Sequence, residues 1–321
     1  MSLIEGTILV YSEDHEILHQ LLAKGRELAD KVGTDLSALT VCPGDRGAIE
    51  LVEHSADRVY VVDDPSLVNF NVEQYRSVVL EVVNVAQPDI ILMGATKRGK
   101  ELAARVAAAL DTGCMTECIQ LDVDDEGRLQ AERLTYGGSM IAYEVSNRKP
   151  HMATVPARAF PKLEPSKRSG EIVELKVKLP DPRVNVVETR KKSRGDVNLA
   201  DASIIVSAGR GFKTKEDLKL LEELAEVLGA NMSCTRPIAA DLGWMEEWIG
   251  ISGHKVSPKL YVACGVSGTI QHAAGIRDSQ IIVSINNEEA SNIHGLSDYS
   301  IVGDLYTVLP ALTKALKEKL K

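Results

Sequence analysis

The sequence has no long apolar run and no excess of basic residues. No uninterrupted hydrophobic stretch approaches the roughly 20 residues that a membrane helix needs, and the first residues lack the basic and apolar segments of a secretory signal. The formal net charge is −9, whereas a surface that binds nucleic acid is basic. We therefore expect a cytoplasmic protein that neither inserts into a membrane nor binds nucleic acid.

Cysteines and aromatic residues are also few. The five cysteines are odd in number, which does not suit a disulfide framework. Cys114 and Cys118 have no neighbouring cysteine or histidine to complete a tetrahedral metal site, so we expect free thiols and no metal ion. Aromatic residues make up 4% of the chain, while Val, Ile, Leu and Ala dominate the hydrophobic 44%. This composition favours helices packed on a parallel sheet.

The length of 321 residues predicts two domains. A strand pattern followed by helical periodicity occupies residues 7–29, and this alternation is repeated along the first half. The repetition predicts a doubly wound parallel sheet. Five prolines and the basic run 190–194 mark residues 156–197 as a connection. We predict an N-terminal α/β domain over 1–197, including this connection, and a second α/β domain over 198–321.

A loop at 94–100 follows the apolar strand pattern of 89–93 and opens a helix. A strand end that meets a helix N-terminus can hold a phosphate. The loop lacks the Gly-Lys-Ser/Thr ending of a P-loop, so a nucleotide site and a solvated basic loop both stay open as interpretations. Further strands joined by tight turns are predicted at 119–123, 128–136, 140–145 and 152–155.

Two glycine loops stand close together in the second half. They are Gly250-Ile-Ser-Gly253 and Gly265-Val-Ser-Gly268, each with a hydroxyl between its glycines, and the second follows the apolar run 260–264. Glycines let a backbone approach a ligand closely, and the free N–H groups that open a helix favour an anion such as a pyrophosphate. The pair predicts a site for a nucleotide-type ligand.

Other polar residues follow predicted strands of the second half. Arg210 lies between two glycines, where its guanidinium suits pairing with a phosphate. Arg236 precedes Pro237, so we expect its backbone to be extended. Asn286 ends a buried strand pattern, and Asp304 can cap a final helix. Open α/β sheets bind ligands at the carboxyl ends of their strands, so these residues are predicted to border the ligand.

Five motifs therefore follow one another in the second half. Together they resemble the alpha subunit of electron-transfer flavoprotein, and the first half fits that family's N-terminal domain by its length and βα pattern. The motifs are Ser207-Ala-Gly-Arg-Gly211, Thr235-Arg236-Pro237, Gly250-Ile-Ser-Gly253, the stretch from Gly265 to Gly275, and Val302-Gly-Asp-Leu305.

The resemblance implies a Rossmann-like C-terminal parallel sheet that binds one FAD. It also implies an N-terminal sheet like that of the adenine-nucleotide hydrolases, and a beta-type subunit that completes a heterodimer. The implied cofactor-binding residues are Arg210, Thr235, Arg236, Pro237, Gly250, Ile251, Ser252, Gly253, Ser267, Gly268, Ile270, Gln271, His272, Asn286, Asp304 and Leu305.

The resemblance also implies roles for some of these residues. Arg210 would lie near the FAD phosphates, and Arg236 against the isoalloxazine, where a positive charge favours the negatively charged reduced flavin. Ser252 would hydrogen-bond flavin N5, and His272 would donate to the pyrimidine carbonyl O2. Asn286, Asp304 and Leu305 would lie at the adenosine end.

The sequence departs from the family pattern in two places. Ile251 stands where many members have glutamine, and His254 where many have lysine, which removes a hydrogen-bonding group and a charge near the flavin. No cysteine-rich iron–sulfur insert is present.

The resemblance implies an electron carrier rather than a stand-alone enzyme. It would accept electrons from an acyl-CoA or similar dehydrogenase, as in fatty acid β-oxidation, and pass them to a membrane quinone reductase or another redox protein. Three alternatives stay open. They are a bifurcating flavoprotein that uses NADH, ferredoxin and an acyl-CoA dehydrogenase, a nicotinamide-dependent dehydrogenase, and a nucleotide-binding adaptor that uses residues 94–100.

Overall fold

The chain forms two compact units, Met1–Thr189 and Arg190–Lys321. The computed structural model describes residues 4–42, 44–165, 169–188, 199 and 202–320, and at residues 44–46 and 137 it describes the backbone alone. The basic run at 190–194 lies outside the described residues. The residues on both sides of the predicted boundary between 197 and 198 lie outside them too. That boundary stays a prediction.

The first unit is built on a sheet of seven parallel strands, with a separate three-stranded antiparallel sheet. Its strands are β1 Thr7–Tyr11, β2 Leu36–Val41, β3 Arg58–Val62, β4 Pro88–Gly94, β5 Cys114–Met115, β6 Cys118–Val123, β7 Leu129–Thr135, β8 Met140–Val145, β9 His151–Val155 and β10 Glu171–Glu174. Its helices are α1 His15–Val32, α2 Gly44–Glu53, α3 Val72–Ala86 and α4 Lys97–Ala109.

The strand order of the large sheet is β10-β3-β2-β1-β4-β9-β5. Val10 of β1 lies opposite Ala38 of β2 on one side and Leu92 of β4 on the other. The chain therefore winds outward in both directions from β1, which confirms the predicted doubly wound sheet.

Helices cover both faces of this sheet. Leu21 of α1 belongs to the core on one face, and Val78 of α3 to the core on the other. The start of α1 is fixed by Asp14, whose side chain accepts a hydrogen bond of 3.1 Å from the N–H of Ile17. Such a cap satisfies one of the N–H groups that a helix leaves unpaired at its start.

Part of the predicted connection packs on the first unit. β10 pairs with β3, with Val173 opposite Tyr60, although no strand was predicted there. Farther along, Asn71 Nδ2 donates a hydrogen bond of 3.0 Å to the carbonyl oxygen of Val184. Residues 169–188 thus follow the surface of the first unit.

The second unit has five parallel strands in the order β12-β11-β13-β14-β15. The strands are β11 Ile204–Ala208, β12 Asn231–Cys234, β13 Leu260–Cys264, β14 Ile282–Asn286 and β15 Tyr299–Val302. The helices are α5 Lys219–Leu228, α6 Ile270–Ile276 and α7 Leu305–Lys319, and a short π-helix spans Pro237–Asp241.

This order places the reversal of winding between β11 and β13. In a sheet of this kind a crevice opens at that point, beyond the carboxyl ends of the strands. One helix start there matches the prediction, because Asp304 caps α7 by accepting from the N–H of Tyr306 at 2.9 Å. No helix in the described part of the chain is long and apolar enough to span a bilayer. The cytoplasmic location stays a prediction.

Candidate functional site

The loops after all five strands of the second unit border one cavity of about 570 Å³. A pocket of this size, at the carboxyl edge of a parallel sheet, is within the range that holds cofactors. Its wall consists of Arg210, Gly211, Lys213, Thr235, Pro237, Gly265, Val266, Ser267, Gly268, Thr269, His272, Asn286, Asn287, Glu288, Asp304, Leu305 and Tyr306.

Glycines let these loops approach one another closely. A Cβ atom at Gly209 would lie 2.1 Å from the carbonyl oxygen of Gly265, and one at Gly268 would lie 2.4 Å from the backbone nitrogen of Ile293. Gly268 also has φ of +75°, a conformation that side chains disfavour. Only glycine fits these positions, so the wall of the cavity here is bare backbone.

Thr235 follows β12 and carries an unsatisfied hydroxyl. Its backbone N–H donates to the carbonyl oxygen of Ala208 at 2.9 Å, which fixes the residue against β11. Its Oγ1 is buried and has no hydrogen-bond partner. Such a group costs about 1–3 kcal/mol when left unpaired. A polar ligand in the cavity would satisfy it.

The backbone of Arg236 is helical, with φ of −47° and ψ of −44°. The expectation of an extended conformation before Pro237 is therefore wrong. Arg236 is the residue that leads into the π-helix, and Pro237 occupies its first position, where the missing N–H of proline costs no helix hydrogen bond. The carbonyl oxygen of Thr235 then accepts from the N–H of Ile238 at 3.0 Å, which closes the turn. The side chain of Arg236 is exposed.

His272 is 4% exposed, and both of its ring nitrogens have protein partners. Nδ1 lies 3.1 Å from the carbonyl oxygen of Ile249 and Nε2 lies 2.9 Å from the hydroxyl of Tyr261. A carbonyl oxygen only accepts, so Nδ1 carries the hydrogen and Nε2 accepts from Tyr261. Burial lowers the pKa of His272 to about 4, so the ring is neutral at pH 7.

Two family models match the chain. The electron transfer flavoprotein domain matches residues 9–180, and the electron transfer flavoprotein FAD-binding domain matches residues 198–277. A protein of Megasphaera elsdenii, the electron transfer flavoprotein subunit alpha, is 37% identical over 95% of this chain and 93% of its own length. The chain belongs to the electron-transfer flavoprotein alpha-subunit family.

Two other relatives cover nearly all of this chain. Protein FixB of Clostridium saccharobutylicum is 38% identical over 97% of this chain and 96% of its own length. Subunit LctC of the lactate dehydrogenase (NAD(+),ferredoxin) of Acetobacterium woodii is 37% identical over 96% of this chain and 74% of its own length.

The cofactor of this alpha subunit is FAD. The cavity fits it on two observations. The unpaired hydroxyl of Thr235 can bond a polar ligand atom, and the cavity volume of about 570 Å³ leaves room for a bulky ligand. The family implies a beta subunit as the partner of this chain.

The structure brings nine of the predicted site residues together on the cavity wall and leaves seven off it. Those on the wall are Arg210, Thr235, Pro237, Ser267, Gly268, His272, Asn286, Asp304 and Leu305. Those that do not border it are Arg236, Gly250, Ile251, Ser252, Gly253, Ile270 and Gln271. Membership of the FAD site stays a prediction for each of them.

The loop Gly250–Gly253 is anchored to the start of α6. The N–H of Ile251 donates to the carbonyl oxygen of Gln271 at 2.9 Å, and the Ile251 side chain is 55% exposed. Ser252 Oγ accepts from the indole N–H of Trp248 at 3.2 Å. A hydroxyl can still donate its own hydrogen while it accepts one, so the predicted hydrogen bond from Ser252 to flavin N5 remains open to it.

The predicted role of His272 does not fit its surroundings. A donor to a flavin carbonyl needs a free N–H, but the one N–H of this neutral ring points to Ile249 and its other nitrogen accepts from Tyr261. In this arrangement His272 shapes the wall as a fixed neutral ring. Tyr261, which fixes it, gave no functional signal in the sequence because it lies inside an apolar strand.

Sequence analysis also missed Lys213 and Tyr306, both on the cavity wall. The Tyr306 hydroxyl accepts from the N–H of Lys213 at 2.8 Å and donates to Asp217 Oδ2 at 2.7 Å. The Lys213 ammonium lies 5.3 Å from the centre of the Tyr306 ring. The position of Tyr306 two residues after the Asp304 cap could have indicated that it faces the site.

Proposed function

We propose that this chain carries FAD in its second unit within a heterodimer with a beta subunit, and transfers electrons between protein partners. The donor is the flavin of an acyl-CoA or similar dehydrogenase, and the acceptor is a membrane quinone reductase or another redox protein. The observation that carries the proposal is the cavity at the carboxyl edge of the second sheet, with the unpaired Thr235 hydroxyl on its wall. A role in fatty acid β-oxidation follows if the donor is an acyl-CoA dehydrogenase.

FAD supplies the uptake and release of electrons. This chain's residues bind it and set the charge around it. Arg210 and Lys213 place two positive charges on the wall, which suits the phosphates of a dinucleotide. Arg236 adjoins Thr235 and is exposed, so its charge can act on the redox-active end of a bound cofactor.

The test uses the full chain co-expressed with its beta subunit. We expect about one FAD held by this chain, and bleaching of the flavin absorbance when a catalytic amount of an acyl-CoA dehydrogenase and an excess of its acyl-CoA substrate are added. A colourless protein would contradict the FAD assignment. A yellow complex that no acyl-CoA dehydrogenase reduces would contradict the proposed donor but leave FAD binding intact.

Similarity to LctC supports a second candidate, an electron-bifurcating complex. That relative is a subunit of a lactate dehydrogenase (NAD(+),ferredoxin). In this version the complex takes electrons from NADH and divides them between ferredoxin and an acyl-CoA dehydrogenase. We expect ferredoxin reduction by NADH only when the high-potential acceptor is present, together with a second flavin in the complex. Flavin that NADH does not reduce would contradict this candidate.

A further inference from the structure

A cluster of two histidines and one glutamate lies in the first unit, outside any site described above. Among the described residues, His19, Glu50 and His54 form the one group of three or more metal-binding side chains whose ligand atoms all lie within 4.8 Å of one another. His19 belongs to α1, Glu50 belongs to α2, and His54 follows the last residue of α2. Leu18 of α1 and Leu51 of α2 share one buried core, which holds the two helices side by side.

The hydrogen bond of His54 determines which of its nitrogens is open to a metal ion. Its Nδ1 lies 2.8 Å from the backbone carbonyl oxygen of Glu50, one helical turn earlier. A carbonyl oxygen only accepts, so Nδ1 carries the hydrogen and Nε2 keeps a free lone pair. Histidines that bind metals are oriented in the same way, by donating their second N–H to a carbonyl or carboxylate.

The ring of His19 is also suited to ligation. Its Nε2 is buried and makes no hydrogen bond, and it lies 3.4 Å from Glu50 Oε1.

The two rings are stacked, with their centres 4.2 Å apart and their planes inclined by 13°. The carboxylate of Glu50 is about half exposed. Two imidazoles and one carboxylate from two helices thus lie together at one partly open position, and the stacked rings must turn before both can direct a lone pair at one ion. This donor set is the one that zinc sites with an open coordination position use.

We propose that His19, Glu50 and His54 bind one divalent transition-metal ion, Zn²⁺ in preference to Mg²⁺ or Ca²⁺, with water as the fourth ligand. Imidazole suits Zn²⁺, whereas the alkaline-earth ions require oxygen ligands. With bonds of about 2.0–2.1 Å, tetrahedral ligands lie about 3.3 Å apart. The ligand atoms of the three residues lie within 4.8 Å of one another, so binding requires the side chains to rotate and draw these atoms closer together.

Such an ion would link α1 to α2 and stabilise the first unit. The site draws on no residue of the flavin cavity, so FAD content and metal content are expected to vary independently. Thermal stability of the first unit is expected to rise with bound metal, because the ion binds the folded chain and not the unfolded one.

The experiment titrates Zn²⁺ against a chromophoric chelator in the full FAD-loaded complex, prepared without a histidine tag and freed of metal. We expect one Zn²⁺ per chain. The variants His19→Gln, Glu50→Gln and His54→Gln should each weaken Zn²⁺ binding at least about tenfold. Even residues that only hydrogen-bond to metal ligands typically cost at least that much metal affinity when they are replaced. The matched control Glu53→Gln, three residues from Glu50 on α2, should leave the affinity unchanged.

Further readouts separate this site from the free cysteines. A Co²⁺ spectrum without thiolate-to-metal absorption would support the histidine and carboxylate ligands, and circular dichroism would establish that each variant folds. Absence of tight Zn²⁺ binding would overturn the proposal. Equal binding by wild type and by folded His19→Gln and His54→Gln would overturn it too, since the ion would then bind elsewhere.

Discussion

Each unit ends its parallel strands in loops at one edge of the sheet, but a threonine hydroxyl at one edge has different surroundings from a threonine hydroxyl at the other. In the first unit, the Thr96 hydroxyl accepts from the N–H of Gly99 at 2.8 Å and donates to Glu13. In the second unit, the Thr235 hydroxyl is buried and unpaired on a cavity wall. The same kind of residue is satisfied by the protein at one edge and left for a ligand at the other.

Two of the three basic residues in the loop 94–100 of the first edge are also engaged by protein groups. Lys100 pairs with Glu117 at 3.0 Å, and the Arg98 guanidinium lies 5.2 Å from the centre of the Phe70 ring. These contacts weaken the adaptor interpretation, in which residues 94–100 bind a nucleotide. Topology thus predicts where a ligand can bind, and the local side chains decide whether one does.

The largest effect is expected from Gly268→Ala. The new Cβ would meet the backbone of Ile293 and the backbone would be strained at φ of +75°. We expect a loss of about 3 kcal/mol or more in the free energy of unfolding, together with loss of FAD. Both tryptophans of the chain, Trp244 and Trp248, lie in the second unit, so urea unfolding followed by tryptophan fluorescence reports on that unit.

Gly229→Ala is the matched control for this substitution. Gly229 has a similar φ of +59°, but a Cβ there meets nothing within 4 Å. We expect a loss of only about 1–2 kcal/mol and full FAD content. Equal effects of the two substitutions would show that backbone strain alone, and not the close packing of the loops, governs the site.

Acid should destabilise the second unit through His272. Its folded pKa is about 4 and its unfolded pKa is about 6.5, so between these values the unfolded chain binds more protons. Stability should therefore fall as pH falls from about 6.5 to 4, by on the order of 3 kcal/mol in all. Urea unfolding across this range checks the slope, and His272→Asn should flatten it. An unchanged slope in a folded variant would contradict the buried neutral ring.

Replacing Asp304 with alanine should weaken both the fold and the cofactor site. Asp304 caps α7 and lies on the cavity wall, so we expect a loss of about 1 kcal/mol in stability and about tenfold in FAD affinity. Asp14→Ala removes the equivalent cap of α1 in the first unit and should cost similar stability at unchanged FAD affinity. FAD affinity equal to wild type in Asp304→Ala would reduce Asp304 to a helix cap.

The smallest effect is expected from Arg236→Ala. If Arg236 lies near the flavin as predicted, removing its exposed positive charge should lower the reduction potential of the flavin by on the order of 50 mV, and Arg236→Lys should restore most of it. A reductive titration of the complex measures this shift. Arg105→Ala in the first unit removes another exposed arginine, paired with Glu101, and serves as the control. The same potential in all three variants and in wild type would exclude an electrostatic role for Arg236.

The buried strands could be predicted from the sequence because each is a short apolar run bounded by turn residues. β13 coincides with the predicted apolar run 260–264. β5, β10, β12 and β15, which all lie at sheet edges, were not predicted. β10 and β15 are edge strands with mostly exposed side chains, and β12, also at an edge, carries polar Asn231 and Ser233. Pairing with a neighbouring strand, which no local pattern records, makes these segments strands.

The part of the site that is formed by glycine loops could be predicted from the sequence. Gly265 and Gly268 stand after an apolar run, and the structure places both on the cavity wall. The helical backbone of Arg236 was not predictable, because a π-helix overrides the local preference of a residue before proline. Nor was the pairing of His272 with Tyr261, since it joins two elements through a buried contact.

One measurement tests the contrast between the two edges most directly. It compares the FAD dissociation constant of the full complex with those of Thr235→Val and Thr96→Val, two substitutions that replace a hydroxyl by a methyl group of similar size. We expect weaker FAD binding in Thr235→Val, and in Thr96→Val unchanged FAD binding with lower stability of the first unit. Unchanged FAD affinity in Thr235→Val, with weaker binding in Thr96→Val, would contradict this expectation.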